Sequence, residues 1–150
     1  MDPINLDAIH QFLDDALIGR LAMSDPEGRP YVIPMPFCRD GNTIYLRVPN
    51  AGRKAEILRH NNRVCLEVDW IAEQMRDYAS VLVEGRLVDV DDAAEKSVAR
   101  AANESKYSRL RPDYRPGHQR STALEALPLK KIVLENISGR RMSPELRVAK

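Results

Sequence analysis

The sequence predicts a small antiparallel β-barrel with helices added at its edges. Six short segments have the alternating or β-branched make-up of strands, most are joined by hairpin-type turn signals, and helical periodicity falls only before or between them, without the regular βαβ succession of a parallel sheet. At 150 residues the chain is expected to form one domain, burying roughly 68–70% of its unfolded surface.

Ile9, Phe12, Leu13 and Leu17 recur at helical spacing, so residues 6–17 read as an opening amphipathic helix. Ile18–Ser24 is a short strand, closed by the turn residues Asp25-Pro26-Glu27-Gly28. Tyr31–Cys38 follows as a second strand, and Asp40-Gly41 supplies a hairpin signal into a third, Thr43–Val48. These three are expected to be antiparallel neighbours. Asn50 is the expected N-cap of a short helix from Ala51 to about His60. Val64, Leu66, Val68 and Trp70 alternate with Cys65, Glu67 and Asp69, the pattern of a strand buried on one face. Ser80–Val90 is the longest strand, with Gly85 marking a bulge or a close approach. Asp91 or Asp92 caps a helix running to about Tyr107. Residues 108–128, rich in Arg and Pro, break every periodic pattern and read as a long loop of the kind that is either functional or disordered; Leu129–Ile137 is the last strand and Ser143 onward a tail.

With 23 Lys+Arg against 22 Asp+Glu, one Trp, five Tyr and two Phe, the chain lacks both the basic excess and the aromatic platforms of a nucleic-acid binder. No apolar run is longer than that of Val81-Leu82-Val83, which is far too short to span a membrane. Met1-Asp2-Pro3-Ile4-Asn5 resembles no export signal, so a cytoplasmic location is expected. Cys38 and Cys65 lie inside strand-like runs, as buried free thiols do. His10, His60 and His118 have no ligand spacing, and the acidic cluster Asp89, Asp91 and Asp92 reads as a strand end and helix cap, so no metal site is expected. Dinucleotide and P-loop glycine motifs are missing, and neither Ser80 nor Ser121 has a nucleophile context.

Two local conflicts stand out. Arg53 and Lys54 occupy the first turn of the second helix, where the helix dipole disfavours cations. Such a turn either holds an anion, a phosphate monoester being the natural one, or simply points two solvated side chains outward. Pro34 and Pro36 remove two N–H groups from the same side of the second strand, which is then an edge or faces something other than a strand. Protection against aggregation and a planar ligand lying on the backbone both account for that.

The order of these elements resembles the FMN-binding split-barrel family related to pyridoxamine 5'-phosphate oxidase. The likeness is carried by Gly19-Arg20-Leu21-Ala22, the turn from Asp25 to Pro30, Val32-Ile33-Pro34, Ile44-Tyr45-Leu46 followed by Gly52-Arg53-Lys54, Asn62–Asp69, and Ser80 through Val83-Glu84-Gly85-Arg86. The ending Ile137-Ser138-Gly139-Arg140 is similar to that of the short, nitroimidazole-reductase-like branch, and the resemblance spans about residues 8–141. It implies a homodimer of six-stranded split barrels with FMN between subunits. It further implies that Val32, Ile33, Pro34 and Met35 lie along the flavin ring, that Arg53 and Lys54 hold the phosphate, that Arg47 and Val48 sit near the ribityl-phosphate, and that Ser80 contacts the flavin.

Many members of that branch have histidine and glycine at the positions of Arg47 and Val48; here Arg47 would add a third cation, receive an anionic substrate, or stand simply as an exposed residue at a strand end. The chain also lacks the C-terminal Arg-Leu-x-Pro segment of true pyridoxamine-phosphate oxidases, which disfavours vitamin B6 oxidation. The resemblance thus implies an FMN-dependent oxidoreductase that reduces a small molecule, with a reduced nicotinamide or another donor delivering the hydride and no side chain required as a nucleophile. Rival readings are an FMN carrier or sensor with little turnover, and a split barrel using haem or deazaflavin. Residues 108–120 are expected to act as a lid, with Tyr114 or Arg115 touching substrate.

Overall fold

A computed structural model describes residues 2–113 and 127–142. In chain order the elements are β1 (Asp2–Pro3), α1 (Leu6–Asp15), β2 (Gly19–Ser24), β3 (Pro30–Met35), β4 (Cys38–Asp40), β5 (Thr43–Arg47), α2 (Arg53–His60), β6 (Arg63–Ile71), β7 (Tyr78–Asp89), α3 (Ala93–Leu110) and β8 (Leu129–Arg141). The strands form one antiparallel sheet in the order β3-β2-β6-β7-β8-β5-β4, with β1 added beside β8. Since β3 and β4 lie at opposite ends of that order yet only Pro36 and Phe37 separate them in the chain, the sheet curls until its two ends meet. This is the split barrel.

The strand expected over Tyr31–Cys38 is therefore two strands, and the first three predicted strands are not mutual neighbours: β3 pairs with β2, β4 with β5. Pro36 breaks the ladder, and the run changes partner across it. With the two-residue β1, the count among the described residues becomes eight instead of six. The second helix starts at Arg53, and Gly52, at φ +101°, takes the cap position expected of Asn50. The other boundaries differ by a few residues: β7 starts at Tyr78, α3 runs to Leu110, and β8 continues to Arg141.

Both predicted hairpins form. Gly28 and Gly41 adopt the positive φ their turns need, and the Asp25 carboxylate accepts the N–H groups of Glu27 and Arg29, both at 2.9 Å. Asp92 is the cap of α3, accepting the Glu95 N–H at 2.9 Å. Gly85 is a close approach beside a bulge. The β7/β8 register shifts at Glu84/Gly85, and a Cβ at Gly85 would lie 2.1 Å from the Val133 carbonyl oxygen.

The barrel interior is filled by Leu21, Met35, Phe37, Ile44, Leu46, Leu66, Val68, Val81, Val83 and Ile132, with Ile9 and Leu13 of α1 and Ile57 of α2 closing on it. A second cluster of Cys38, Tyr45, Val90, Ala99 and Leu129 packs α3 outside the barrel wall. Trp70 breaks the expected alternation. It lies near the outer end of β6, is 40% exposed, and meets Phe12 at 6.0 Å between ring centroids. Cys38 is buried and Cys65 half-buried, both free. Among the described residues no helix is long and apolar enough to cross a membrane.

Candidate functional site

Hydrogen-bonded and non-bonded residue pairs alternate along an antiparallel ladder. The Asp25 N–H donates to the Arg29 carbonyl at 3.0 Å, so the next pair, Ser24 and Pro30, is non-bonded, and so in turn are Ala22 with Val32 and Arg20 with Pro34. The backbone groups of Pro30, Val32 and Pro34 consequently face away from β2. No other strand among the described residues pairs with β3, so they face an open edge. Two of the three donors on that edge are removed by proline. What remains is the Val32 N–H among three carbonyls, a strip that another β-strand cannot ladder in full.

The side chains of β3 divide by parity. Val32, 61% exposed, and Pro34 lie on the outer face of the sheet, whereas Met35 is buried and Ile33 packs against the core. A planar group at this edge would meet the side chains and edge-facing backbone of Val32 and Pro34, whereas the backbone N–H and C=O groups of Ile33 and Met35 are turned toward β2.

The N-terminus of α2 adjoins the start of β3. The Arg53 guanidinium stacks over the Tyr31 ring, 4.6 Å from its centroid. Gly52 leaves the first turn without a side-chain cap, and among the described residues neither Arg53 nor Lys54 has a carboxylate within ion-pair distance. Uncapped helical N–H groups, two cations and an aromatic ring that orients one of them therefore converge at the end of the open edge. Tyr31 is the part that the sequence did not single out, and Gly52, named there beside Arg53 and Lys54, takes the cap role expected of Asn50.

The remaining proposed contacts are carried by other strands or their ends. Arg47 donates to the Leu127 carbonyl at 2.7 Å, on the side of the wall that carries Tyr45 and α3. Val48 is fully enclosed in the core, and its N–H donates to the Pro128 carbonyl at 3.1 Å. Ser80 is half-buried on the outer face, opposite Asp69 and Arg140. Three strand spacings separate β3 from β7, about 14 Å along the sheet. One subunit thus brings Arg53, Lys54, Val32 and Pro34 to one end of the sheet and leaves Ser80 well apart. Between them Arg20 pairs with Glu67 and Asp69, and partial burial, with Asp69 alongside, raises the pKa of Glu67.

A cavity of about 190 Å³ opens beside Asn50, Asp91, Lys96 and Pro128 and includes none of the proposed contacts. Burial pushes the Cys38 thiol up to about 12, which removes it as a nucleophile. Among the described residues no three His, Cys, Asp or Glu side chains form a metal-binding group. Tyr114, Arg115, His118 and Ser121, with most of the expected lid and the tail, lie outside the described residues.

Comparison with known proteins gives these features a setting. The family model for pyridoxamine 5'-phosphate oxidase matches residues 5–141. Among proteins of curated function none matches. Among solved structures, a FAD-binding protein from Mesorhizobium loti is 27% identical, with a TM-score of 0.69 over 95% of this chain and 98% of that one. A candidate 5-nitroimidazole antibiotic resistance protein from Bacteroides thetaiotaomicron is similar in fold, with a TM-score of 0.73 and 24% identity over 93% of this chain and 86% of that one. A heme-binding protein from Mycobacterium smegmatis, 16% identical, shares the fold at a TM-score of 0.68 over 99% of this chain and 62% of that one.

Proposed function

The chain belongs to the pyridoxamine 5'-phosphate oxidase family, and from that premise we propose that it binds FMN and works as a flavin-dependent oxidoreductase on a small-molecule acceptor. The observation that carries this reading is the junction of the α2 N-terminus with the open edge of β3, where Arg53 stacks on Tyr31. A phosphate monoester fits that turn: it would accept from the first helical N–H groups and from Arg53 and Lys54, gaining the charge-assisted bonds that the uncapped turn lacks. A planar heterocycle would be held at this edge by the apolar side chains of Val32 and Pro34 and by the Val32 N–H as the one remaining edge donor.

When bound, FMN supplies hydride and electron transfer. The chain's residues orient it: the cations anchor one end, β3 supports the other, and the aliphatic surface of Val32 and Pro34 excludes water. A second copy of the chain completes the site in this reading. Ser80 sits about 14 Å along the sheet from β3, too far to share one ring with Val32 and Pro34 of its own subunit, but within reach of a partner's cofactor across a face-to-face dimer. Arg47 is left to a structural contact with Leu127 or to an anionic substrate approaching from the α3 side.

Haem is the second cofactor known from this fold, through the Mycobacterium smegmatis protein. It is disfavoured here because the described histidines are engaged at the surface, His10 with Asn42 and His60 with Glu56, and the Cys38 thiol is buried. The visible spectrum of the purified protein separates the two, and titration with FMN and FAD side by side tests the choice of flavin. Replacing both Arg53 and Lys54 by Ala is expected to weaken FMN binding at least 100-fold, since each charge-assisted phosphate contact is worth about 1.5–3 kcal/mol. Native FMN affinity in the folded double variant refutes the phosphate assignment.

A further inference from the structure

β3 ends at Met35 and β4 begins at Cys38, so Pro36 and Phe37 alone carry the chain from one end of the sheet to the other. Pro36 has no N–H to give. Phe37 is buried, and its N–H and carbonyl, lying between two strands, have no ladder partner. Helix α3 supplies both. The Phe37 N–H donates to the Tyr107 hydroxyl at 3.1 Å, and Lys106 Nζ donates to the Phe37 carbonyl at 3.0 Å while resting 3.6 Å from the centroid of the Phe37 ring. The single hydroxyl proton of Tyr107 is better placed toward the Leu17 carbonyl, at 2.8 Å, than toward Phe37, at 3.2 Å. Lys106 also donates to the Leu13 carbonyl at 3.1 Å. One pair of adjacent side chains thus clasps the crossover and the end of α1 together. A buried amine is costly, and an apolar side chain in its place would leave two buried carbonyls without this donor.

We propose that Lys106 and Tyr107 are positioning residues for the open edge of β3: by fixing Phe37 they set where Val32–Met35 present their backbone, and hence how tightly the cofactor ring is held. The proposal rests on the flavin reading of that edge. The charged and titratable groups around Lys106 are Asp14 and Asp15 on α1, Arg109 and Tyr107 on α3, and Cys38 on β4, and burial lowers its pKa to about 8. Above that pH the amine is neutral and the burial of a charge is relieved, while its N–H groups still donate to both carbonyls, so the clasp is expected to close more firmly.

Lys106→Met tests this. Amide exchange of the protein without flavin is measured at Val32, Met35 and Phe37, with Leu66 and Val83 as references in the barrel wall, and FMN affinity is measured by fluorescence quenching from pH 7 to 9. The expected result is exchange about tenfold faster at Met35 and Phe37 with the references unmoved, and FMN binding about tenfold weaker at pH 7. Wild-type affinity should also rise from pH 8 upward while that of the variant stays flat. Should Lys106→Met not fold, Tyr107→Phe, which removes only the hydroxyl, is expected to give the same local exchange signature. Unchanged exchange at Met35 and Phe37, uniform acceleration across the chain, or FMN affinity within twofold of wild type each overturns the proposal. If the wild type binds no FMN, the flavin reading fails separately, and the exchange result still decides whether the clasp positions β3.

Discussion

Arg53 and Lys54 show what one residue in the wrong electrostatic place can signal. Their position was legible because a helix N-terminus repels cations, but the sequence left a phosphate and a solvated turn both open. Tyr31 shifts the balance, since a guanidinium stacked 4.6 Å from a ring centroid is held, not waving in solvent. Lys106 was invisible in the same reading. It sits in a helix with many charged neighbours, and nothing in the linear pattern says that this one is only 6% exposed. Its folded pKa of about 8, against an ordinary 10.5, means the unfolded chain binds more protons above pH 8, so stability should rise with pH there. Cys38 acts in the opposite sense above pH 9.0, because its buried thiol stays protonated to about 12 in the folded state. The net rise is confined to about pH 8–9 and amounts to about 1 kcal/mol. Urea unfolding at pH 7, 8 and 9 measures it, and Lys106→Met should abolish it.

At the scale of elements, turn chemistry was the most readable feature and strand identity the least. Asp25 to Gly28 and Asp40-Gly41 encode their hairpins locally, through backbone conformations that glycine tolerates and bonds that aspartate makes to nearby N–H groups. The run from Tyr31 to Cys38 looked like one strand because its β-propensity is continuous; that it divides follows from which partner lies beside each half. The prolines did announce the open edge, and the hydrogen-bond alternation from Asp25 and Arg29 agrees with that. Gly85 is readable for the same kind of reason, as a place where backbone approaches backbone. Gly85→Ala should cost on the order of 3 kcal/mol, because its Cβ would meet the Val133 carbonyl at 2.1 Å, a backbone atom that cannot rotate away as a side chain would. Thermal unfolding of the variant checks this, and a loss below about 0.5 kcal/mol would mean the bulge at Glu84/Gly85 relaxes freely.

At the scale of the molecule, the outer face of the sheet is where the proposed site and the proposed second subunit meet. Pro34, Arg20, Glu67 and Leu82 lie in one row across β3, β2, β6 and β7, and Leu82 remains 37% exposed there. Leu82→Arg is expected to leave the single chain within about 0.5 kcal/mol of wild type, yet to abolish dimerisation in sedimentation velocity and weaken FMN binding. A dimer that survives the substitution with full affinity would place the partner elsewhere and remove Ser80 from the site.

The sequence by itself determined the antiparallel barrel, its hairpins, the cationic first turn and the edge whose prolines strip it of donors, because each depends on residues close together in the chain, through backbone torsions, missing donors or local charge. Only the tertiary structure decided that β3 and β4 close opposite ends of one sheet, that Tyr31 lies under Arg53, and that Lys106 and Tyr107 serve Phe37 from 69 and 70 residues away. Those contacts form between segments whose sequences carry no mark of each other; burial and unsatisfied backbone groups bring them together only once the barrel has curled.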